Sequence, residues 1–142
     1  MAGYSETPLV KKLGIKAGFN IAFVNAPVDF FDELTLPQDI KFNSRTQKPL
    51  DFVLLFVKRE ADLKKKFAQY ARRLTPAGMI WIAWPKKSSG VATDLTFTNV
   101  QAIGLATGLV DVKICAVNEV WSGLKFVIRL KDRKPAKHPR PQ

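Results

Sequence analysis

The sequence predicts a single-domain α/β fold, a three-layer sandwich around a mainly parallel sheet that closes with an antiparallel C-terminal hairpin. Three observations carry this expectation. Two unbroken apolar runs, "FVLLFV" at 52–57 and "MIWIAW" at 79–84, suit parallel strands buried on both faces. Between them lies an amphipathic segment, with Leu63, Phe67, Tyr70, Ala71 and Leu74 on one face at helical spacing. Near the end, strand-like segments at 112–117 and 124–130 are separated only by 118–123, too short a link for a parallel crossover.

The elements follow in order. Thr7 is placed to cap a short helix with Pro8 at its first position; Leu9, Val10 and Leu13 give it an apolar side, and Gly14 ends it. Residues 20–25, "NIAFVN", read as a strand that Pro27 breaks, with a short helix at 28–34 and a further strand at 40–43. Thr75-Pro76-Ala77-Gly78 stops the central helix. A second amphipathic helix covers 95–109, with Val100, Ile103, Leu105 and Ala106 facing inward and Thr93 or Asp94 as its N-cap. Right-handed crossovers place helices on both faces of the sheet. The α/β domain spans 1–130, and 131–142 reads as a basic, Pro-rich, disordered tail.

Composition narrows the function classes. The 142 residues fit one domain, and 46% hydrophobic against 25% charged residues supplies a core. No apolar run approaches the roughly 20 residues of a membrane span. The first ten residues, MAGYSETPLV, lack the apolar centre of a signal peptide. Cys115 is the one cysteine, so no internal disulfide forms; it lies mid-strand and reads as buried and inert. These features point to a cytoplasmic protein without membrane partners. His138, the one histidine, lies in the tail, which argues against a Ser-His or Cys-His pair. No His, Cys and carboxylate group has metal spacing, and no cofactor is expected. Net charge is +11; the segment 131–142 holds five Lys or Arg and one Asp, leaving +7 on the body. Such a body attracts polyanions, nucleic acid among them.

Two resemblances add to this reading. "DFVLLFVKREADLKKKFAQYARRLTPAGMIWIAW" is similar to the second half of class I methyltransferases, with Leu74-Thr75-Pro76-Ala77-Gly78 standing where their L-x-P-G-G turn does. "YSETPLVKKLGIKAG", "WPKKSSGVATDLT" and "GLVDVKICAVNEVWSGLKFV" resemble a bacterial family of short proteins defined as a domain of unknown function. The methyltransferase resemblance implies a Rossmann-like sheet, a Gly-rich turn after the first strand and an acid at the end of the second. Here the first strand runs into Asn25-Ala26-Pro27, and Lys41-Phe42-Asn43-Ser44 holds no acid. Gly14 and Gly18 precede the first strand and cannot serve that turn. The resemblance therefore implies the fold and argues against S-adenosylmethionine as cofactor. Were it bound, the amides of Asn25 and Asn43 would stand in for the missing groups.

Ligands of open parallel sheets collect at the carboxyl ends of the strands. Asn25-Ala26-Pro27, Lys58-Arg59, 85–90 and 118–123 are all sent to that edge. The segment Pro85-Lys86-Lys87-Ser88-Ser89-Gly90 is the richest. Lys86 and Lys87 bring charge, and Ser88, Ser89 and the backbone around Gly90 bring hydrogen-bond donors. A following helix N-terminus would add free N–H groups. That set fits a phosphate or carboxylate, though it is not a Walker motif. The competing reading is a solvated loop. Trp121, in "NEVWSG", is either a stacking platform for a ring or a lid over the core. Glu119, the acid of that turn, is expected to pair with Lys86 or Lys87. The candidate ligand-binding residues are thus Asn25, Lys86, Lys87, Ser88, Ser89, Gly90, Glu119 and Trp121. Lys64, Lys65, Lys66, Arg72 and Arg73 read as a solvated helix face.

Three functions compete, in this order. The first is a binding module for an anionic small molecule, phosphate- or nucleotide-containing, at the carboxyl edge. The second is a reduced S-adenosylmethionine-dependent methyltransferase. The third is a nucleic-acid-binding protein acting through its basic surface and tail.

Overall fold

In a computed structural model of the chain, residues 8–43 and 47–133 are described. Among them, six strands form one sheet: β1 (Asn20–Val24), β2 (Lys41–Phe42), β3 (Leu50–Phe56), β4 (Leu74–Pro85), β5 (Leu109–Ala116) and β6 (Trp121–Ile128). Their spatial order is β2-β1-β3-β4-β6-β5. The first four strands are mutually parallel, and β6 runs antiparallel to both β4 and β5. The two apolar runs are adjacent central strands, as expected, with Phe52 opposite Met79 and Phe56 opposite Ala83.

Helices lie on both faces but unequally. The two long ones, α2 (Glu60–Ala71) and α3 (Phe97–Ala106), share one face. Right-handedness explains this: the β3-to-β4 and β4-to-β5 crossovers step in the same direction across the sheet. Leu63, Phe67 and Tyr70 of α2 and Val100 and Ile103 of α3 pack there on Val53, Leu55, Ile80 and Ile82. Among the described residues, the opposite face carries α1 (Leu9–Leu13) and a 3-10 helix at Phe30–Glu33. Leu13 and Phe30 cover Ile21, Phe52, Leu54 and Trp81. Both Trp81 and Trp84 are core residues on opposite faces, and the Trp81 indole donates to the Leu13 carbonyl at 2.9 Å.

Several boundaries differ from expectation. Pro8 is the N-cap of α1 rather than its first residue, and Thr7 lies outside the described residues. Gly14 ends α1 in the left-handed region, φ 88°. The helix expected at 28–34 is the single 3-10 turn. Thr75 to Gly78 belong to β4, where they form an irregularity between the Leu50–Leu74 and Phe52–Met79 pairs. A Cβ on Gly78 would stand 2.8 Å from the Leu50 carbonyl, so the turn chemistry there serves strand approach. α3 begins later than expected because Thr96 and Asn99 form its capping box. Leu105 and Ala106 are exposed, and Gly104 takes the inward position beside Ile103. Lys131 and Asp132 sit in a 3-10 helix at Leu130–Asp132, while 134–142, with His138, lie outside the described residues. No helix among the described residues is long and apolar enough to cross a membrane.

Candidate functional site at the carboxyl edge

β4 and β6 are register partners up to Pro85 and Trp121, so the loop leaving β4 and the turn entering β6 meet at the carboxyl edge. The Lys86 N–H donates to the Val120 carbonyl at 2.7 Å, joining the two. Asn118 closes the hairpin, its Oδ1 accepting from the N–H groups of Val120 at 2.9 Å and Trp121 at 3.0 Å. The structure thus brings Lys86 to Gly90 beside Glu119, which is exposed on its turn.

The loop's donors, however, are satisfied within it. Lys87–Ser89 form a 3-10 turn that Gly90 ends at φ 76°. The Ser89 N–H and hydroxyl both donate to the Lys86 carbonyl, at 3.0 and 2.7 Å. The hydroxyl in turn accepts from the Val91 N–H at 3.1 Å, and the Gly90 N–H reaches the Lys87 carbonyl at 3.3 Å. The expected anion cradle of Ser89, Gly90 and Val91 amides is therefore corrected: those groups hold the loop's shape. Nor does the helix N-terminus contribute as expected, because α3 starts six residues beyond Val91 and is capped by its own box. Lys86, half-buried, and Lys87 and Ser88, both exposed, keep outward reach.

Asp94 does not cap α3. Its carboxylate accepts the Glu60 N–H at 2.7 Å, so it caps α2, which its own N-cap residue Arg59 does not. Thr93 donates its hydroxyl to the Lys58 carbonyl at 2.6 Å, and the Asp94 N–H reaches the same oxygen at 3.3 Å. These bonds staple the β4–α3 loop to the β3–α2 loop. They bring Lys58 and Arg59, both exposed, to the same edge as Lys86 and Lys87. Lys58 and Arg59 were not among the predicted site residues. Their signal was present, since two cations directly follow the apolar run of β3.

Three other predicted positions are placed differently. Trp121 lies in β6 rather than in the turn; it is 8% exposed and its ring stands edge-on to Phe56 at 5.0 Å. That is the lid over the core, not a platform open to a ligand. Asn25 is exposed in the left-handed region, φ 60°, and its amide donates to the Phe56 carbonyl at 3.4 Å, tying the exits of β1 and β3. Asn43 is buried, with its amide on Asn20 Oδ1 at 2.8 Å and its carbonyl accepting from Arg73 at 2.6 Å. β2 stops at Phe42, opposite Ile21, well short of the carboxyl end of β1. Asn43 thus follows the carboxyl end of β2 level with the middle of β1, with its amide already engaged by Asn20. No cluster of His, Cys, Asp or Glu among the described residues is arranged to hold a metal. Cys115 is half-buried, and burial pushes its thiol above the ordinary 9.0 against the opposing pull of Lys12 and Lys113.

The fold has counterparts among solved structures. Magnesium protoporphyrin IX methyltransferase from Synechocystis PCC 6803, solved with bound SAM, aligns with TM-score 0.57 and 9% identity over 84% of this chain and 74% of that one. The ribosomal protein L11 methylase from Lactobacillus delbrueckii subsp. bulgaricus gives 0.57 and 8% over 84% and 74%. A methyltransferase from Pyrococcus furiosus gives 0.56 and 10% over 83% and 78%. The chain has the class I methyltransferase fold. At these identities the likeness speaks for the fold alone. No family model matches the chain. No curated protein matches it either.

Proposed function

We propose that the protein binds an anionic small molecule, phosphate- or nucleotide-containing, at the carboxyl ends of β3 and β4. The observation that carries this reading is the stapling of two loops, which gathers Lys58, Arg59, Lys86 and Lys87 at one edge. That edge adjoins the switch point of the sheet, where the chain leaves β1 towards β2 and β3 towards β4. Ammonium and guanidinium groups suit phosphate oxygens through charge-assisted hydrogen bonds. Against a methyltransferase's adenosine site stand the residues of this chain at the corresponding positions. Asn25 replaces the Gly turn, the Asn43 amide is engaged by Asn20, and β2 is two residues long.

A second reading, a reduced S-adenosylmethionine-dependent methyltransferase, is favoured by the neighbours: several are named methyltransferases, one solved with bound SAM. Isothermal titration calorimetry with ATP, pyrophosphate and S-adenosylmethionine separates the two. The first reading expects ATP or pyrophosphate to bind and Lys86→Ala/Lys87→Ala to weaken it about tenfold or more. Stability should hardly change, since exposed lysines contribute less than about 0.5 kcal/mol each. Micromolar S-adenosylmethionine binding with no response to pyrophosphate would replace the first reading by the second.

A further inference from the structure

A second cationic surface lies on the sheet face that carries α1, on the β5–β6 hairpin. Lys113 of β5 and Lys125 of β6 are register partners, so two ammonium groups rise from directly opposed positions. Like charges so placed destabilise a sheet. The end of α1 brings in two more. Lys113 Nζ donates to the Lys12 carbonyl at 3.0 Å, and Lys12 Nζ reaches the Ala116 carbonyl at 3.4 Å. Lys125 Nζ stands 4.0 Å from where a Cβ on Gly14 would lie, and Lys16 follows two residues on.

None of these four lysines forms an ion pair with a carboxylate among the described residues. β6 holds no acid, and Asp111, the one acid of β5, accepts from Gln101 of α3. Burial first, then Lys113 and Lys16, pulls the Lys125 ammonium below its ordinary 10.5. The chain thus tolerates a repulsion that a polyanion would relieve.

We propose that this face, through Lys12, Lys16, Lys113 and Lys125, binds the phosphate backbone of a duplex nucleic acid. The four groups come from a helix, a loop and two strands, and together they complement the charge of a partner that carries several phosphates. No ring of α1, β5 or β6 is exposed for a base to stack on, since Trp121 and Phe126 are buried. Contact is therefore with the backbone and indifferent to sequence. This surface is independent of the carboxyl-edge site.

The test is fluorescence anisotropy of a short labelled duplex of mixed sequence, titrated with the full chain between about 50 and 200 mM salt. Four backbone contacts predict a slope of log affinity against log salt near −3.6, at about −0.9 per phosphate neutralised. Lys16→Gln/Lys125→Gln should make the slope shallower by about two and weaken binding roughly fiftyfold at 0.1 M salt. Lys16→Gln alone, at an exposed position, should remove about one unit of slope. Lys16→Arg/Lys125→Arg should bind as the parent does. Lys65→Gln/Lys66→Gln, an equal charge change on α2, should shift affinity less than about threefold, because those lysines lie on the other face. Four results would overturn the proposal. They are no binding by the parent chain, equal losses in the α2 control, loss in the arginine variant, or binding to phosphatidylserine vesicles without binding to the duplex.

Discussion

Replacing Gly104 by alanine tests how α3 is seated on the sheet. Gly104 is buried in α3 and faces the Phe126 ring of β6. A Cβ added there would meet three ring carbons: Cε2 and Cζ closer than any real contact, and Cδ2 at 2.6 Å. The ring has little room to retreat, since Phe126 is fully buried and edge-on to Phe67 at 5.2 Å. Two effects oppose each other. Alanine in a helix interior gains about 1 kcal/mol over glycine. Overpacking a filled core costs about 1–3 kcal/mol, and an overlap with three carbons belongs at the upper end. The net is a loss of roughly 2 kcal/mol, lowering Tm by about 4–8 °C for a chain of this size.

Scanning calorimetry and urea unfolding read the change, with the slope in urea unaltered if only stability moves. Phe126→Leu supplies the second arm, because it shortens the ring side chain that the new methyl would strike. In the Gly104→Ala background it should cost less than in the parent, a coupling of about 1 kcal/mol or more. An alanine variant more stable by about 1 kcal/mol, or strictly additive mutations, would refute the reasoning. Propensity alone would then govern the position, and α3 would not press on Phe126.

Asp94→Ala should lower stability by about 1 kcal/mol, because it orphans the Glu60 N–H at the start of α2. Urea unfolding and faster amide exchange at Glu60 would show it; unchanged values would return Asp94 to a solvated role. Lys125→Met should raise stability near neutral pH. Since the folded pKa of Lys125 lies below the unfolded 10.5, the penalty is complete below the folded value and fades as pH rises through it towards 10.5. The gain from methionine should shrink over that alkaline window, and a loss of stability at pH 7 would count against it. Cys115, raised above 9.0, loses stability over the same range, so the difference between the two proteins carries the test.

The parts of the fold legible in the sequence are those with one-sided or two-sided burial. β3 and β4 read as continuous apolar runs because both faces are covered, and α2 reads by its helical period because one face is. Their directions then force the β4 loop and the β6 turn to one edge. What polar loop residues do once there is not written locally. Ser89 and Thr93 carry hydroxyls, and Asp94 a carboxylate, that suit a ligand and a backbone group equally. Ser89 spends its hydroxyl on its own loop, whereas Thr93 and Asp94 take partners on a loop some 35 residues earlier. Trp121 was expected within the turn at 118–123, yet the Asn118 Oδ1 and the Trp121 carbonyl close the hairpin earlier, and Trp121 begins the strand.

The lysine face was hidden for a different reason. Val112 was expected to begin a regular strand, but the register between β5 and β6 shifts between Asp111 and Lys113. Asp111 lies opposite Phe126, and Lys113 lies opposite Lys125, so two steps on β5 match one on β6. Without that irregularity Lys113 would fall opposite Leu124, on the α3 side of the sheet, and Lys125 would face Val112. The bulge therefore sets the two ammonium groups side by side. Solubility needs only that lysines be exposed, and either register satisfies that. A bulge that instead opposes like charges beneath α1 raises the cost of the fold. That cost is the strongest reason to look for an anionic partner on this face.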